Sequence, residues 1–164
     1  MGYGSAAARG SIVVGLALAA LAQAHALGAS GPAGGGCQPT RSEPLPPYYR
    51  PGAPLRARVG SGYALSGWVR EAGTCRTIGG ARVEYFLANP DGEYDDHHRG
   101  TIIASTRGAF RLVSNFPGRF RGRPPHIHIR VSARGFVPVV TQHYPRPGTH
   151  AGAMTIYLRR TTTL

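Results

Sequence analysis

The sequence predicts an all-β protein, a β-sandwich of about eight short strands carrying an irregular Gly/Pro-rich N-terminal arm, and three observations predict it. The first is composition: 24 Gly and 14 Pro among 164 residues, with only 16% charged, disfavour long helices and suit short strands separated by turns. The second is periodicity. Alternating or short continuous apolar runs recur at residues 55–59, 63–70, 81–87, 101–105, 109–114, 126–132, 136–143 and 153–158, each bounded by turn signals. The third is length, which suits one core with trimmings rather than a two-domain enzyme.

The elements follow in order. Arg9 ends a short basic region, residues 11–22 (SIVVGLALAALA) are apolar, and Ala24-His25-Ala26 supplies small residues, so residues 1–26 read as an export signal. The run is shorter than the roughly 20 apolar residues of a membrane anchor, so no stable membrane insertion is expected once it is removed. The protein is then expected in the periplasm or outside the cell. Residues 27–54 contain GPAGGG and PLPPYY, which neither helix nor central strand accommodates, so they form the arm. Residues 55–160 form the sandwich domain and residues 161–164 a short tail. Cys37 and Cys75 are the only cysteines, and an even count in an exported chain predicts a disulfide tying the arm to the turn after Trp68. Trp68 and Val69 are expected in the sandwich core.

All 19 basic residues are Arg, and they give a formal charge of +12 against 7 acidic residues. A field of that sign favours anionic partners: nucleic acid, an anionic polymer, or a small carboxylate or phenolate. The arginines are scattered rather than blocked, and codon bias alone would replace Lys by Arg, so nucleic-acid binding is not expected. Whether subunits assemble is left open.

Two connections are longer than hairpin turns: residues 88–100 (ANPDGEYDDHHRG) and 115–125 (NFPGRFRGRPP). Loops carried by a rigid sandwich are where binding and catalytic groups are usually placed. Directly after the second comes His126-Ile127-His128-Ile129. On a strand, alternation sends both imidazoles to one face, about 6.6 Å apart along the chain, close enough to converge on one ion. HxH alone also describes two histidines on a wet strand face. Tyr94, in GEY after an apolar strand, adds a phenol at another loop junction, and phenolate with imidazole favours ferric iron over softer metals. Asp95, Asp96, His97 and His98 could hold a second metal, but read more simply as a solvated loop. Arg119, Arg121 and Arg123 alternate beside the HxH strand and suit a substrate anion or, for the first two, plain solvent exposure.

The runs ARVEYFLANPDGEYDDHHRG, GAFRLVSNFPGRF, GRPPHIHIRV and TQHYP, with PPYY upstream, resemble the catalytic domain of intradiol ring-cleavage dioxygenases from about Pro47 to Tyr144. The resemblance implies a mononuclear non-haem Fe(III) held by two Tyr and two His, and O2-dependent opening of a catechol between its hydroxylated carbons. It makes Tyr94, His126 and His128 metal ligands, Arg123 the arginine that stabilises charge on the substrate ring, and Gln142 a supporting glutamine. Tyr48 or Tyr49 then closes over the substrate pocket. One position departs: the family's second tyrosinate falls at Phe120, in Pro117-Gly118-Arg119-Phe120, and phenylalanine offers no donor atom. Tyr144, Tyr85, His97 and His143 are candidate replacements. The leading expectation is an exported Fe(III) dioxygenase taking a small aromatic diol and O2. The rivals are a non-catalytic β-sandwich binding aromatic or polymeric ligands through a degenerate pocket, and a zinc or copper protein using HxH with another donor.

Overall fold

The computed structural model describes residues 1–2 and 36–162, so residues 3–26 of the expected export signal lie outside the described residues. The chain divides into Met1–Ala33 and Gly34–Leu164, and all described secondary structure belongs to the second unit. There, seven strands form: β1 (Tyr63–Glu71), β2 (Arg82–Leu87), β3 (Arg99–Ile103), β4 (Ala109–Ser114), β5 (Ile127–Ser132), β6 (Val139–His143) and β7 (Ala151–Leu158). They make a three-stranded sheet in the order β4-β1-β7 and a four-stranded sheet in the order β3-β2-β5-β6, the expected all-β sandwich.

Period-2 alternation builds the core. Tyr63, Leu65 and Val69 of β1, Phe110 and Leu112 of β4, and Ile156 and Leu158 of β7 meet Val83, Tyr85 and Leu87 of β2 and Ile127, Ile129 and Val131 of β5. The same alternation corrects the expectation for Trp68. Val69 takes the core slot, so its neighbour Trp68 points outward and is 41% exposed. Gly67 leaves room for the Phe110 ring, which would come within 2.3 Å of a Cβ at that position.

The eighth expected strand, residues 55–59, does not form. Leu55 bridges Thr101 of the four-stranded sheet and Arg58 bridges Val113 of the three-stranded sheet, so this segment crosses from one sheet edge to the other. A segment that changes sheets within four residues cannot run along either ladder. Leu55 is accordingly 71% exposed.

From Gly36 onward the arm is held by contacts with the sandwich. Cys37 and Cys75 form the expected disulfide, and Gly73 N–H donates to Cys37 O at 2.8 Å. Thr40 N–H donates to Tyr157 O at 3.0 Å on β7, and Glu43 N–H to Val140 O at 2.8 Å on β6. β6 and β7 are the edge strands on one side of the sandwich, so the arm caps two open ladders at once.

Candidate metal centre

The outer face of the four-stranded sheet carries the site. In β5 the isoleucines turn into the core, which leaves His128 on the other face. Register then sets Phe86 of β2 on one side of His128 and Gln142 of β6 on the other. Phe86 stacks on the His128 ring with centroids 4.6 Å apart and planes 13° from parallel. His126, just ahead of β5, is fixed by its Nδ1–H, which donates to Pro124 O at 2.7 Å and leaves Nε2 free to face His128.

Two glycines bring the long loops together. A Cβ on Gly92, whose φ is +87°, would lie 2.3 Å from Arg119 O, and one on Gly118 would lie 2.2 Å from Asn89 O. The first loop is closed by Asn89 N–H donating to Glu93 O at 2.8 Å and Glu93 N–H donating to Asn89 Oδ1 at 2.9 Å. Asp95 pins its far side, accepting from His97 N–H, His98 N–H and the His98 ring. Tyr94 is thereby held over the imidazoles.

Three donor atoms converge. Tyr94 Oη lies 3.0 Å from His126 Nε2, and His126 Nε2 lies 3.0 Å from His128 Nε2. An ion bonded to oxygen and nitrogen at about 2.0–2.2 Å holds its ligand atoms roughly 3 Å apart, so this spacing fits one shared metal. Burial supports the same use. It pushes His128 down to about 3, helped by His126 and Arg123, and also lowers His126, so both rings are neutral near pH 7 with lone pairs available. Burial pushes the Tyr94 phenol up to about 12, so binding a cation there must expel its proton. His128 Nδ1 is buried with no hydrogen-bond partner, which leaves the Nε2 end to carry that ring's polar role.

Aromatic rings wall the cluster. Tyr48 stacks on Tyr94 with centroids 5.2 Å apart and planes 5° from parallel, and Phe120 stands edge-on to both at 4.9 Å. A cavity of about 120 Å³ opens beside Tyr94, bordered by Tyr48, Phe86, Arg50 and Arg99. Tyr49 takes a different place from its neighbour. Its hydroxyl donates to Glu84, and Arg130 lies over its ring and donates to Glu84 at 2.6 Å, so Tyr49 anchors the arm and Tyr48 faces the site.

Arg123 Nη2 donates to Gln142 Oε1 at 2.7 Å and to Tyr144 Oη at 3.1 Å, so both partners are neutral oxygens and its charge is not neutralised by them. Arg121 covers the Phe120 ring at 5.2 Å. Of the four candidate replacements for the donor absent at Phe120, Tyr85 is buried in the core and donates to Arg56 O, and His143 accepts from Tyr63 Oη on the core side. His97 is exposed on its loop, and Tyr144 alone borders the cluster, its ring 5.7 Å from that of His126. In the Asp95–His98 run, Asp95 accepts from the His97 and His98 N–H groups and from the His98 ring, so the run builds its own turn. Sequence reasoning did not single out Gly92, Gly118 or Phe86 for the site. The glycines were visible as turn signals, but their interlocking depends on two loops far apart in sequence.

No family model matches the chain. Among curated proteins it is 28% identical to chlorocatechol 1,2-dioxygenase of Pseudomonas putida, across 60% of this chain and 50% of that one, so the chain spans about half the length of that relative. The dioxygenase domain of a dioxygenase–carbohydrate-binding fusion from Streptomyces sp. SirexAA-E superposes with a TM-score of 0.68 at 24% identity, covering 76% of this chain and 100% of that domain. An intradiol ring-cleavage dioxygenase of Tetranychus urticae superposes with a TM-score of 0.67 at 17% identity, covering 75% and 95%. These structural likenesses establish a shared fold. In fold the chain is like the solved intradiol dioxygenases, and in sequence it is similar to chlorocatechol 1,2-dioxygenases over 60% of its length.

Proposed function

We propose that the chain is an exported, Fe(III)-dependent intradiol dioxygenase, which adds both atoms of O2 to a catechol and opens the ring between its hydroxylated carbons to a cis,cis-muconate-type diacid. The observation that carries the reading is that His126 Nε2 lies 3.0 Å from Tyr94 Oη and 3.0 Å from His128 Nε2. One hard oxygen and two imidazoles suit ferric iron better than the soft metals that thiolates select. Bound there, Fe(III) would supply a Lewis-acidic centre for the catecholate oxygens and O2.

The chain's own residues do the rest. Tyr94 Oη would give up its proton to solvent on becoming a ligand, because the Nε2 lone pair of His126, 3.0 Å away, is itself needed for the ion. His126 and His128 hold their orientation through Pro124 O and the Phe86 stack. Arg123 presents a positive charge with only neutral partners, suited to a negatively charged ring oxygen. Tyr48 and Phe120 exclude water from the phenol side. The disulfide and the apolar run at residues 11–22 support export, and nothing in the scattered arginines calls for nucleic acid.

A visible spectrum and metal analysis test the reading. The iron-loaded protein should be coloured, change colour when catechol is added in the absence of O2, and consume one O2 per catechol when air is admitted. Stoichiometric zinc or copper, or a colourless protein that ignores catechol, would overturn it. A second reading, a non-catalytic aromatic binder, is favoured by Phe120, whose ring offers no donor 4.9 Å from Tyr94. Colour change with catechol but no O2 uptake would select it.

A further inference from the structure

The arm reaches the site through hydrogen bonds as well as through the Tyr48 ring. Glu43 is fixed by its own N–H on Val140 O at 2.8 Å, while Val140 N–H donates to Ser42 Oγ at 3.1 Å. That register places Glu43 beside Gln142, two residues further along β6, and the Glu43 carboxylate accepts the Gln142 Nε2–H. An amide held by its nitrogen has one orientation left, with Oε1 on the opposite side. There Oε1 accepts from Arg123 Nη2 at 2.7 Å and from Tyr144 Oη at 3.1 Å, and Tyr144 Oη itself accepts from Arg123 at 3.1 Å. Flipped, the amide would turn N–H groups toward a guanidinium and a hydroxyl proton, and both bonds would be lost. Arg123 is otherwise an exposed side chain with many rotamers to sample.

We propose that Glu43 is a positioning residue: from the arm, it sets the orientation of the Gln142 amide and thereby holds the Arg123 guanidinium beside the Tyr94, His126 and His128 cluster. The proposal rests on the reading of Arg123 as the electrostatic partner of a catecholate. The sequence assigned Gln142 and Arg123 to the site and gave Glu43 no role, because an arm without periodicity does not show which strand edge it will follow. The consequence for the molecule is that the arm, tied down at Cys37–Cys75, is part of the substrate site rather than a cover for it.

The test uses the full chain loaded with iron, titrated with 4-nitrocatechol and followed by its visible spectrum. Glu43→Ala should weaken 4-nitrocatechol binding about tenfold or more and raise KM for catechol more than it lowers kcat, with iron content and the resting absorption unchanged. Glu43→Gln keeps an acceptor oxygen and should recover most of the loss. Gln142→Leu cuts the same link inside β6 without touching the arm and should reproduce it. The decisive comparison is on an Arg123→Ala background, where Glu43→Ala should add nothing. Additive losses, a neutral Glu43→Ala, or a Glu43→Gln as impaired as Glu43→Ala would each overturn the proposal. A second readout is independent of catechol chemistry. In the metal-free full chain, the Gln142 side-chain amide and Arg123 guanidinium protons should exchange slowly, and Glu43→Ala should release both. Failure of the wild type to bind iron or 4-nitrocatechol would sink the functional reading, while the exchange experiment would still decide whether Glu43 holds Arg123.

Discussion

At the scale of single residues, Phe120 separates this chain from the pattern it resembles. Its ring meets Tyr94 and Tyr48 edge-on at 4.9 Å from each, so it stands inside the aromatic wall of the donor cluster rather than on the surface. A hydroxyl added there would give the cluster a second phenol. Phe120→Tyr should therefore deepen and shift the visible absorption of the iron-loaded protein and slow iron loss to a chelator by at least about tenfold, the scale on which groups around a metal alter its affinity. Tyr94→Phe should do the opposite, since it leaves only neutral imidazoles as protein donors. An unchanged spectrum in Phe120→Tyr would mean that the turn does not face the metal, and the residue-by-residue placement of the second tyrosinate would fall with it. Tyr144, the one replacement candidate that borders the cluster, already spends its hydroxyl on Gln142 and Arg123.

At the scale of elements, what was legible in the sequence and what was not divide along the range of the interactions. Alternation in residues 126–132 is a local property, so it gave both the strand and the face on which His128 lies. Tyr94 was legible as a phenol at a strand end, but its meeting with His126 depends on two loops packing backbone to backbone. Residues 55–59 alternate like a strand and are not one, because the choice between two sheet edges lies outside the segment. Trp68 is a large aromatic that points outward all the same, because the parity of β1 gives the core slot to Val69. The loop contact is testable. At Gly118 a Cβ would meet only backbone atoms, Asn89 O at 2.2 Å and Gly92 N at 2.7 Å, so no side chain can yield and the loops must part. Gly118→Ala should cost about 1–3 kcal/mol of stability, read by denaturant unfolding, and should also weaken iron retention. Lost stability with intact iron binding would show that the two loops hold the domain together without setting the position of Tyr94.

At the scale of the whole molecule, the buried imidazoles set how the fold responds to acid. His126, His128 and His143 all have pKa values lowered by burial from 6.5, His128 to about 3. In the unfolded chain each takes up a proton near 6.5, whereas in the fold it does so only at lower pH. Between those values the unfolded chain binds more protons, so the stability these groups contribute is complete above about pH 6.5 and is lost as pH falls toward 3. Added positive charge on a chain already at +12 works in the same direction. The metal-free protein should therefore show a flat melting temperature above pH 7 and lose roughly 5 °C or more between pH 6.5 and 4.5, corresponding to one or a few kcal/mol. Iron competes with protons for Nε2 of His126 and His128, so loading should move the decline to lower pH. His143 separates the two contributions, because its ring bonds Tyr63 Oη at 2.7 Å on the core side and takes no part in the donor cluster. His143→Asn should shallow the acid decline of the metal-free protein and leave the iron-loaded spectrum as it was. If the metal-free protein melts at the same temperature from pH 7 down to 4.5, the imidazoles are solvated enough to charge freely in the fold, and a dry, preformed donor cluster at His126 and His128 is ruled out.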